Sequence, residues 1–467
     1  MIEFNELSPV LLRTFIDDGK LPNFKRFHDT SDVFTTDARA AEPALEPWVQ
    51  WPTVHYGVPH EVHGIRHLGD PSAQGRTPVA QVLSDAGVTV GVFGSMNVPY
   101  GQLNGFLVPD PWNKRSITSP AALAPYRHTV GVMVRESSRP DGAPPEAKLA
   151  AFGAFLLRNG LSARTIAFVG KQLIDERREP GLRWRRASAL DWLQYDIFKR
   201  LSRRYDAKFT TFFSNSTAHY QHYYWRHMDP RSFTTPVDAL DHASFEEAIL
   251  YGYQSMDRLL GRFMADFPEA MLVLCTALSQ EPWRDATKMT YRPLDFLAVL
   301  RLAGVPTKAV DVLPIMAEQF VLKFPGEEEA GDAKRHFAML SVEGKALLRF
   351  KQEGSALIGG CDVNDQVKAG DVIDGAPDGS TPSFANFFYP IHTVRSGRHS
   401  PIGVLWFRTG QHVEHAEPVH LEDIAPTVLA HFGVAQPHQM IGEVLTLTAA
   451  VAASPTPAAT DRSTTAP

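Results

Sequence analysis

The sequence predicts an α/β fold, in which a mainly parallel central sheet carries helices on both faces and is interrupted by an inserted α+β cap. Two observations lead to this prediction. Short apolar segments with few charges alternate with amphipathic helical segments, as in parallel sheets that are buried on both faces. Between residues 292 and 390 this alternation fails, and it resumes with the apolar run at residues 402–407.

The first unit of the sheet is a short strand followed by a helix. Ile2 and Phe4 have the spacing of a strand, and the helix has Ser8 as N-cap, Pro9 at its first position and Gly19 after its end. Three further helix–strand pairs follow, at residues 78–83 with 88–93, 192–204 with 209–213, and 245–263 with 271–275. Loops at the carboxyl ends of parallel strands build the site in such sheets, so we expect it after residues 4, 213 and 275 and around residue 399.

The predicted domains are a core formed by residues 1–291 and 391–446, a cap at 292–390, and a disordered tail at 447–467. Within the cap, residues 318–324 and 347–350 have the pattern of strands, and the acidic residues 327–329 are interpreted as a loop. The tail is rich in Ala, Thr, Ser and Pro, a composition that cannot bury a core.

The bulk composition limits the class of protein. The 467 residues carry a net charge of -6, which argues against a binder of nucleic-acid backbones. No window approaches the ~18 consecutive apolar residues of a membrane span, and the first residues do not have the pattern of a secretory signal. The only two cysteines, one of them in an apolar run, are typical of a reducing compartment, so we expect a cytoplasmic protein.

Four segments, taken together and in order, carry a family resemblance. They are Gly-Lys-Leu-Pro-Asn-Phe at 19–24, Trp-Pro-Thr to His-Gly-Ile at 51–65, Asn-Ser-Thr-Ala-His-Tyr-Gln-His at 215–222 with Met-Asp-Pro at 228–230, and Gly-Arg-His at 397–399 with Glu-Asp-Ile-Ala-Pro-Thr from 422. They resemble the type I phosphodiesterase/nucleotide pyrophosphatase branch of the alkaline phosphatase superfamily. The resemblance spans residues 2 to about 433, without the cap, and it implies an alkaline-phosphatase-like fold.

Members of this family hold two zinc-like ions that activate a Thr or Ser nucleophile. The sequence departs from this pattern at Asn5 in place of the first Asp, Gln50 in place of the nucleophile, Ala218 in place of the third motif's Asp, and Ala277-Leu278 in place of an Asp-His pair. The resemblance leaves His222 and His399 as metal ligands, with His219 as a candidate third. Because a zinc site usually needs three protein ligands, we expect one divalent metal (zinc, manganese or iron) or none.

Other polar residues are predicted to converge on the same cleft. The candidate catalytic residues are Gln50 at the nucleophile position, Glu6 or Glu46 as general base and His219 as acid. The candidate substrate-binding residues are Asn5, Trp48, Trp51, Asn215 and Gln280. The tryptophans would stack on a sugar or a base, or would pack in the core.

These features lead to three hypotheses about function. The first, which the resemblance favours, is a phosphodiesterase- or phosphatase-type hydrolase of a phosphate or related ester with a rewritten site. The second is a non-catalytic protein that binds a nucleotide, a sugar phosphate or a glycan. The third is a metal-independent Glu/His acid–base enzyme. The predicted partner is a small-molecule phosphate or glycan ligand, and the substrate and the oligomeric state stay open.

Overall fold

A computed structural model describes residues 1–69, 75–113, 116–136, 146–234, 237, 239–285, 289–314, 319–368, 370–392 and 396–448. The predicted tail, except residues 447 and 448, lies outside the described residues. The strands are β1 Ile2–Phe4, β2 Asp32–Asp37, β3 Val90–Phe93, β4 Gly105–Val108, β5 Phe209–Ser214, β6 Val273–Cys275, β7 Ser279–Pro282, β8 Thr290–Pro293, β9 Asp311–Pro314, β10 Phe320–Lys323, β11 Ser341–Val342, β12 Lys345–Ala346, β13 Leu348–Glu353, β14 Ala356–Cys361, β15 Phe388–His392, β16 Gly397–Ser400, β17 Ile402–Phe407, β18 Val413–Glu414 and β19 Val419–His420.

Helices lie between most of the strands of the central sheet. The α-helices are α1 Pro9–Asp17, α2 Pro22–His28, α3 Pro47–Tyr56, α4 His60–His63, α5 Val79–Asp85, α6 Ala124–Glu136, α7 Glu146–Arg158, α8 Ala163–Arg178, α9 Ala187–Arg204, α10 Ser216–Met228, α11 Ala239–Phe245, α12 Ala248–Asp266, α13 Phe296–Leu302, α14 Glu327–Phe337 and α15 Ile424–His431. Short 3-10 helices lie at Ala121–Leu123, Pro180–Arg186, Pro230–Ser232, Phe384–Asn386 and Leu421–Asp423.

The central sheet is mainly parallel, as predicted. Its strand order is β18-β2-β17-β6-β1-β5-β3-β4, with β19 also on β2. Strand β17 is antiparallel to β2 and β6, whereas the other described pairs of this sheet are parallel. β1 lies between β5 and β6, so the loops that leave these three strands meet at one edge of the sheet.

Helices cover both faces of this sheet, because neighbouring residues of a strand point to opposite faces. Phe212 and Leu274 belong to a core that includes side chains of α9 and α12. Phe213 and Cys275, the next residue in each strand, belong to a different core, which includes Trp51 of α3 and part of α15. The prediction of an α/β fold with helices on both faces is therefore confirmed.

A second, antiparallel sheet of order β13-β14-β10-β9 packs with α13 and α14 around its own core. The interpretation of residues 327–329 as a loop was wrong, because they form the first turn of α14. Three glutamates lie at the start of this helix and Lys334, Arg335 and His336 at its end, an order that the helix dipole stabilises. The exact division into core and cap stays a prediction.

Two further expectations concern the chain as a whole. No helix among the described ranges is long and apolar enough to span a bilayer. Cys275 and Cys361 are both buried and are not joined in a disulfide.

Candidate active site

Glu6 lies at the carboxyl edge of the central sheet, two residues after β1. Its backbone has φ = 63°, the left-handed region that a non-glycine residue seldom adopts, and it pairs with Ser279 in an isolated bridge. The Gln221 side-chain amide donates to the Glu6 carbonyl oxygen, and the Tyr253 hydroxyl donates to Gln221 Oε1 at 2.8 Å. Buried contacts therefore hold a strained backbone at this point, as is common at functional sites.

The carboxylate of Glu6 meets two histidines from distant parts of the chain. Glu6 Oε2 lies 3.2 Å from His222 Nε2, on α10, and 3.6 Å from His399 Nε2, on β16. The ligand atoms of the three residues all lie within 4.8 Å of one another. Three segments that are far apart in sequence thus bring one carboxylate and two imidazoles to a single point.

Two amides fix the orientation of this carboxylate. Asn5 Nδ2 donates to Glu6 Oε1 at 2.8 Å, and Gln280 Nε2 donates to Glu6 Oε2. Burial alone would raise the pKa of the Glu6 carboxyl, but the neighbouring imidazoles of His222 and His399 hold this pKa well below its ordinary value. Glu6 is therefore an ionised, buried carboxylate.

The three residues fit one tetrahedral metal ion. Zinc binds imidazole nitrogen and carboxylate oxygen at ~2.0–2.1 Å, which places two tetrahedral ligands about 3.3–3.4 Å apart. The two Glu6–His distances, 3.2 and 3.6 Å, lie on either side of this value. The prediction of His219 as third ligand is corrected, because its ring packs against Tyr220, Tyr223 and Tyr224. Glu6 supplies the third donor instead.

The positions at which the resemblance implies ligands of a second ion offer none. Ala277 and Leu278 are fully buried and have no side-chain donor atom. Gln50 is fully buried too; its Nε2 donates to the Ala44 carbonyl at 2.8 Å, and its Oε1 accepts from Thr53 Oγ1 at 3.3 Å. The residues present do not fit a second metal. The assignment of Gln50 as a catalytic residue is likewise corrected, because its amide is used within the fold.

Glu46 contacts the opposite side of the His399 ring. It lies just before α3, and its Oε2 is 3.4 Å from His399 Nδ1, with 24% of the Glu46 side chain exposed. A carboxylate at Nδ1 favours the tautomer with the proton on Nδ1, which directs the Nε2 lone pair towards Glu6 and His222. Glu46 therefore lies where it can orient His399. The predicted role of general base did not include this contact.

The residues predicted to bind substrate divide into buried and accessible ones. Trp51 is fully buried in the core and its Nε1 donates to Asn5 Oδ1 at 2.8 Å, which agrees with the second of its two alternatives and not with stacking on a ligand. Asn5 and Gln280 are 1% exposed, and their amides orient Glu6 rather than face a ligand. Asn215 is exposed.

Trp48 is half-buried, and its Nε1 donates to the Arg66 carbonyl at 3.3 Å. Roles of Trp48 and Asn215 in substrate binding stay predictions.

Gln221 directly precedes a motif histidine, but the sequence did not predict that its side chain holds the Glu6 backbone. Glu3 and His55 lie outside the cleft. Both are fully buried, with His55 Nε2 3.2 Å from Glu3 Oε1 and His55 Nδ1 3.1 Å from the Tyr100 hydroxyl. The alternation of side chains along β1 explains this, because Glu3 points to the face opposite that of Ile2 and Phe4.

Solved structures similar to this chain include an alkaline phosphatase, a phosphonoacetate hydrolase and an ectonucleotide pyrophosphatase/phosphodiesterase. Wild-type alkaline phosphatase PafA is 12% identical with a TM-score of 0.44, over 95% of this chain and 98% of that chain. Phosphonoacetate hydrolase from Sinorhizobium meliloti 1021, in complex with phosphonoformate, is 12% identical with a TM-score of 0.34, over 91% and 93%. Human ectonucleotide pyrophosphatase/phosphodiesterase 5 is 9% identical with a TM-score of 0.38, over 95% and 97%.

No protein-family model matches the chain, and neither does any curated protein. At the TM-scores and identities above, no residue role or activity of the matched structures is assigned to this chain. The likeness of this α/β chain to the alkaline phosphatase superfamily stays a resemblance that its four sequence segments carry.

Proposed function

We propose that the chain is a hydrolase of phosphate or related esters that works with one divalent metal ion bound by Glu6, His222 and His399. The observation that carries this proposal is the convergence of these three side chains at 3.2 and 3.6 Å, a donor set suited to zinc or a similar ion. A bound ion would polarise the ester oxygen and lower the pKa of a coordinated water.

The protein side chains would then position the reactants. Because Gln50 has no hydroxyl, the nucleophile is water: its oxygen bonds to phosphorus, the ester P–O bond breaks, and the departing alkoxide takes up a proton. Glu46, partly exposed beside His399, would orient that imidazole and lies where it could accept the proton of the attacking water. Asn215, exposed at the end of β5, could donate its amide N–H to an ester oxygen.

A metal-independent acid–base enzyme is the second candidate, and one observation favours it. Glu6 Oε2 already contacts both imidazole nitrogens, at 3.2 and 3.6 Å, so this carboxylate has partners without an ion. In that case a Glu–His pair would exchange protons with the substrate directly. The predicted cytoplasmic location and the choice between a phosphate and a glycan ligand stay open under either candidate.

The deciding experiment compares metal content with turnover, using protein without an affinity tag. Metals are measured by elemental analysis before and after chelation, and Zn²⁺, Mn²⁺ or Fe²⁺ is then restored for assays on phosphate monoesters, phosphate diesters and sulfate esters. We expect Glu6→Gln and His222→Ala to bind one ion fewer per chain than the wild type and to lose turnover. His219→Ala, on the same helix as His222, is the matched control and should keep both.

Two other results would reject the proposal. Turnover that survives chelation would instead establish the acid–base enzyme. Tight binding of a nucleotide, sugar phosphate or glycan by folded protein that turns over no ester would establish a binding protein.

A further inference from the structure

A second group of metal-ligating side chains lies at the other edge of the central sheet. His28 is the last residue of α2, and Glu414 is the last residue of β18, with His412 just before that strand. Glu414 Oε1 is 3.5 Å from His28 Nε2 and 3.8 Å from His412 Nε2. β18 pairs with the first residues of β2, which is parallel to β1, so this group lies at the edge opposite Glu6.

The hydrogen bonds of both rings point their Nε2 lone pairs to one place. His412 Nδ1 is 3.0 Å from the carbonyl oxygen of His28, which can only accept, so His412 carries its proton on Nδ1. His28 Nδ1 faces the carboxylate of Asp29 at 3.5 Å, which favours the same tautomer. In this tautomer the Nε2 atoms of both rings face Glu414 and are available as metal ligands. Oxygen acceptors on the outer nitrogen are the usual second shell of metal-binding histidines.

We infer that His28, His412 and Glu414 bind one divalent ion of the Zn²⁺, Ni²⁺ or Cu²⁺ class, outside the candidate active site. Two imidazoles and one carboxylate suit these ions and not Mg²⁺ or Ca²⁺, which prefer oxygen ligands alone. The nitrogen–oxygen distances of 3.5 and 3.8 Å exceed the tetrahedral spacing of about 3.3–3.4 Å by only a few tenths of an ångström. The His412 and Glu414 side chains are 39% and 50% exposed, so they can close this gap and leave room for water ligands.

Arg13 competes with the ion for the same carboxylate. Its Nη2 lies 3.2 Å from Glu414 Oε1, on side chains that are 58% and 50% exposed. An incoming ion would replace this exposed ion pair, which contributes little to stability. The ion would connect the end of α2 to the two-residue edge strand β18. His28 and His412 are 384 positions apart in the sequence. Metal binding should therefore stabilise this edge of the sheet.

The test uses untagged protein with the His222→Ala substitution, which removes a ligand of the candidate active site. Zn²⁺ binding is measured by isothermal titration calorimetry, and Cu²⁺ binding by quenching of tryptophan fluorescence. Trp406 reports on the site because its ring centroid lies 5.0 Å from that of His28. We expect one Zn²⁺ per chain, a melting temperature that rises with the logarithm of the Zn²⁺ concentration, and quenching by Cu²⁺.

Second substitutions in the same background assign the ligands. Adding His412→Asn or Glu414→Gln should weaken Zn²⁺ binding at least tenfold, whereas His438→Asn, at another exposed histidine, should leave it unchanged. Arg13→Gln should strengthen binding several-fold, because it frees Glu414. Absence of Zn²⁺ binding in the His222→Ala protein, or binding that neither His412→Asn nor Glu414→Gln changes, would overturn the inference. Both substituted residues are exposed, so circular dichroism should show an unchanged fold.

Discussion

The role of Glu46 can be decided by one isosteric substitution, Glu46→Gln. Its Oε2 lies 3.4 Å from Nδ1 of His399, whose other nitrogen faces the carboxylate of Glu6. If Glu46 orients this imidazole for metal binding, its replacement should weaken the metal site itself. If Glu46 is only a general base, the metal site should be unaffected and the chemical step should slow.

The structure sets the size of the expected effect. Loss of a second-shell partner of a metal-bound histidine costs ~10–100-fold in metal affinity, which corresponds to about 1.4–2.7 kcal/mol. The Glu46 side chain is 24% exposed and its contact is longer than an ideal charge-assisted hydrogen bond. Water can therefore replace part of the interaction, and we expect the lower end of the range, about tenfold.

The assay is a competition titration of Zn²⁺ against a chromophoric chelator, with and without Glu46→Gln, in protein that carries Glu414→Gln so that the second proposed site is removed. Turnover is measured in parallel, as a function of free Zn²⁺ concentration. We expect a dissociation constant about tenfold higher and turnover that excess Zn²⁺ largely restores. The exposed carboxylate of Glu61 on α4, which pairs with His60, gives the control Glu61→Gln, which should change neither quantity.

An unchanged dissociation constant with turnover reduced ~10²–10⁴-fold at saturating Zn²⁺ would refute the positioning role and assign Glu46 as the general base.

Three further predictions concern buried polar groups. Burial lowers the pKa of His63 to about 4, so between pH 6.5 and 4 this side chain takes up a proton only in the unfolded chain. The free energy of unfolding, measured by urea titration, should therefore fall by about 3 kcal/mol as the pH is lowered over this range. In the His63→Gln variant this fall should be smaller. Arg262→Ala should cost about 3–5 kcal/mol, because it leaves its ion-pair partner Asp196 buried and unbalanced, and part of this loss should return with Asp196→Asn. Trp51→Phe should cost about 1 kcal/mol and weaken metal binding several-fold in calorimetry, because it removes the hydrogen bond that holds Asn5 beside Glu6.

The sequence predicted the sheet well because its strands are apolar on both faces and its helices have regular periods. The strand predicted from Ile2 and Phe4, and that predicted at residues 402–407, appear as β1 and β17. The first turn of α14, at residues 327–329, was missed because three adjacent glutamates can be a solvated turn or the start of a helix, and only the following residues distinguish the two.

The members of the site could be predicted, but their roles could not. Glu6, His222 and His399 were all expected in the cleft, since each follows or lies near a strand end. The direction of the Glu6 side chain depends on a left-handed backbone held by Gln221, a contact between residues 215 positions apart. Local sequence patterns do not contain such contacts, so Glu6 was read as a base and not as a ligand.

The charges around the site explain why one ion would suffice. In the family pattern an Asp precedes the motif histidine by four residues, and here that position is Ala218, whose small side chain is 2% exposed. Glu6 brings a carboxylate to the same histidine from β1, and Glu46 adds a second beside His399. Two carboxylates balance the charge of one divalent ion. A second ion would have no anionic protein ligand, and an unbalanced charge is costly in a buried site. Under the proposal, Glu6 and Glu46 would therefore supply the negative charge that one divalent ion needs.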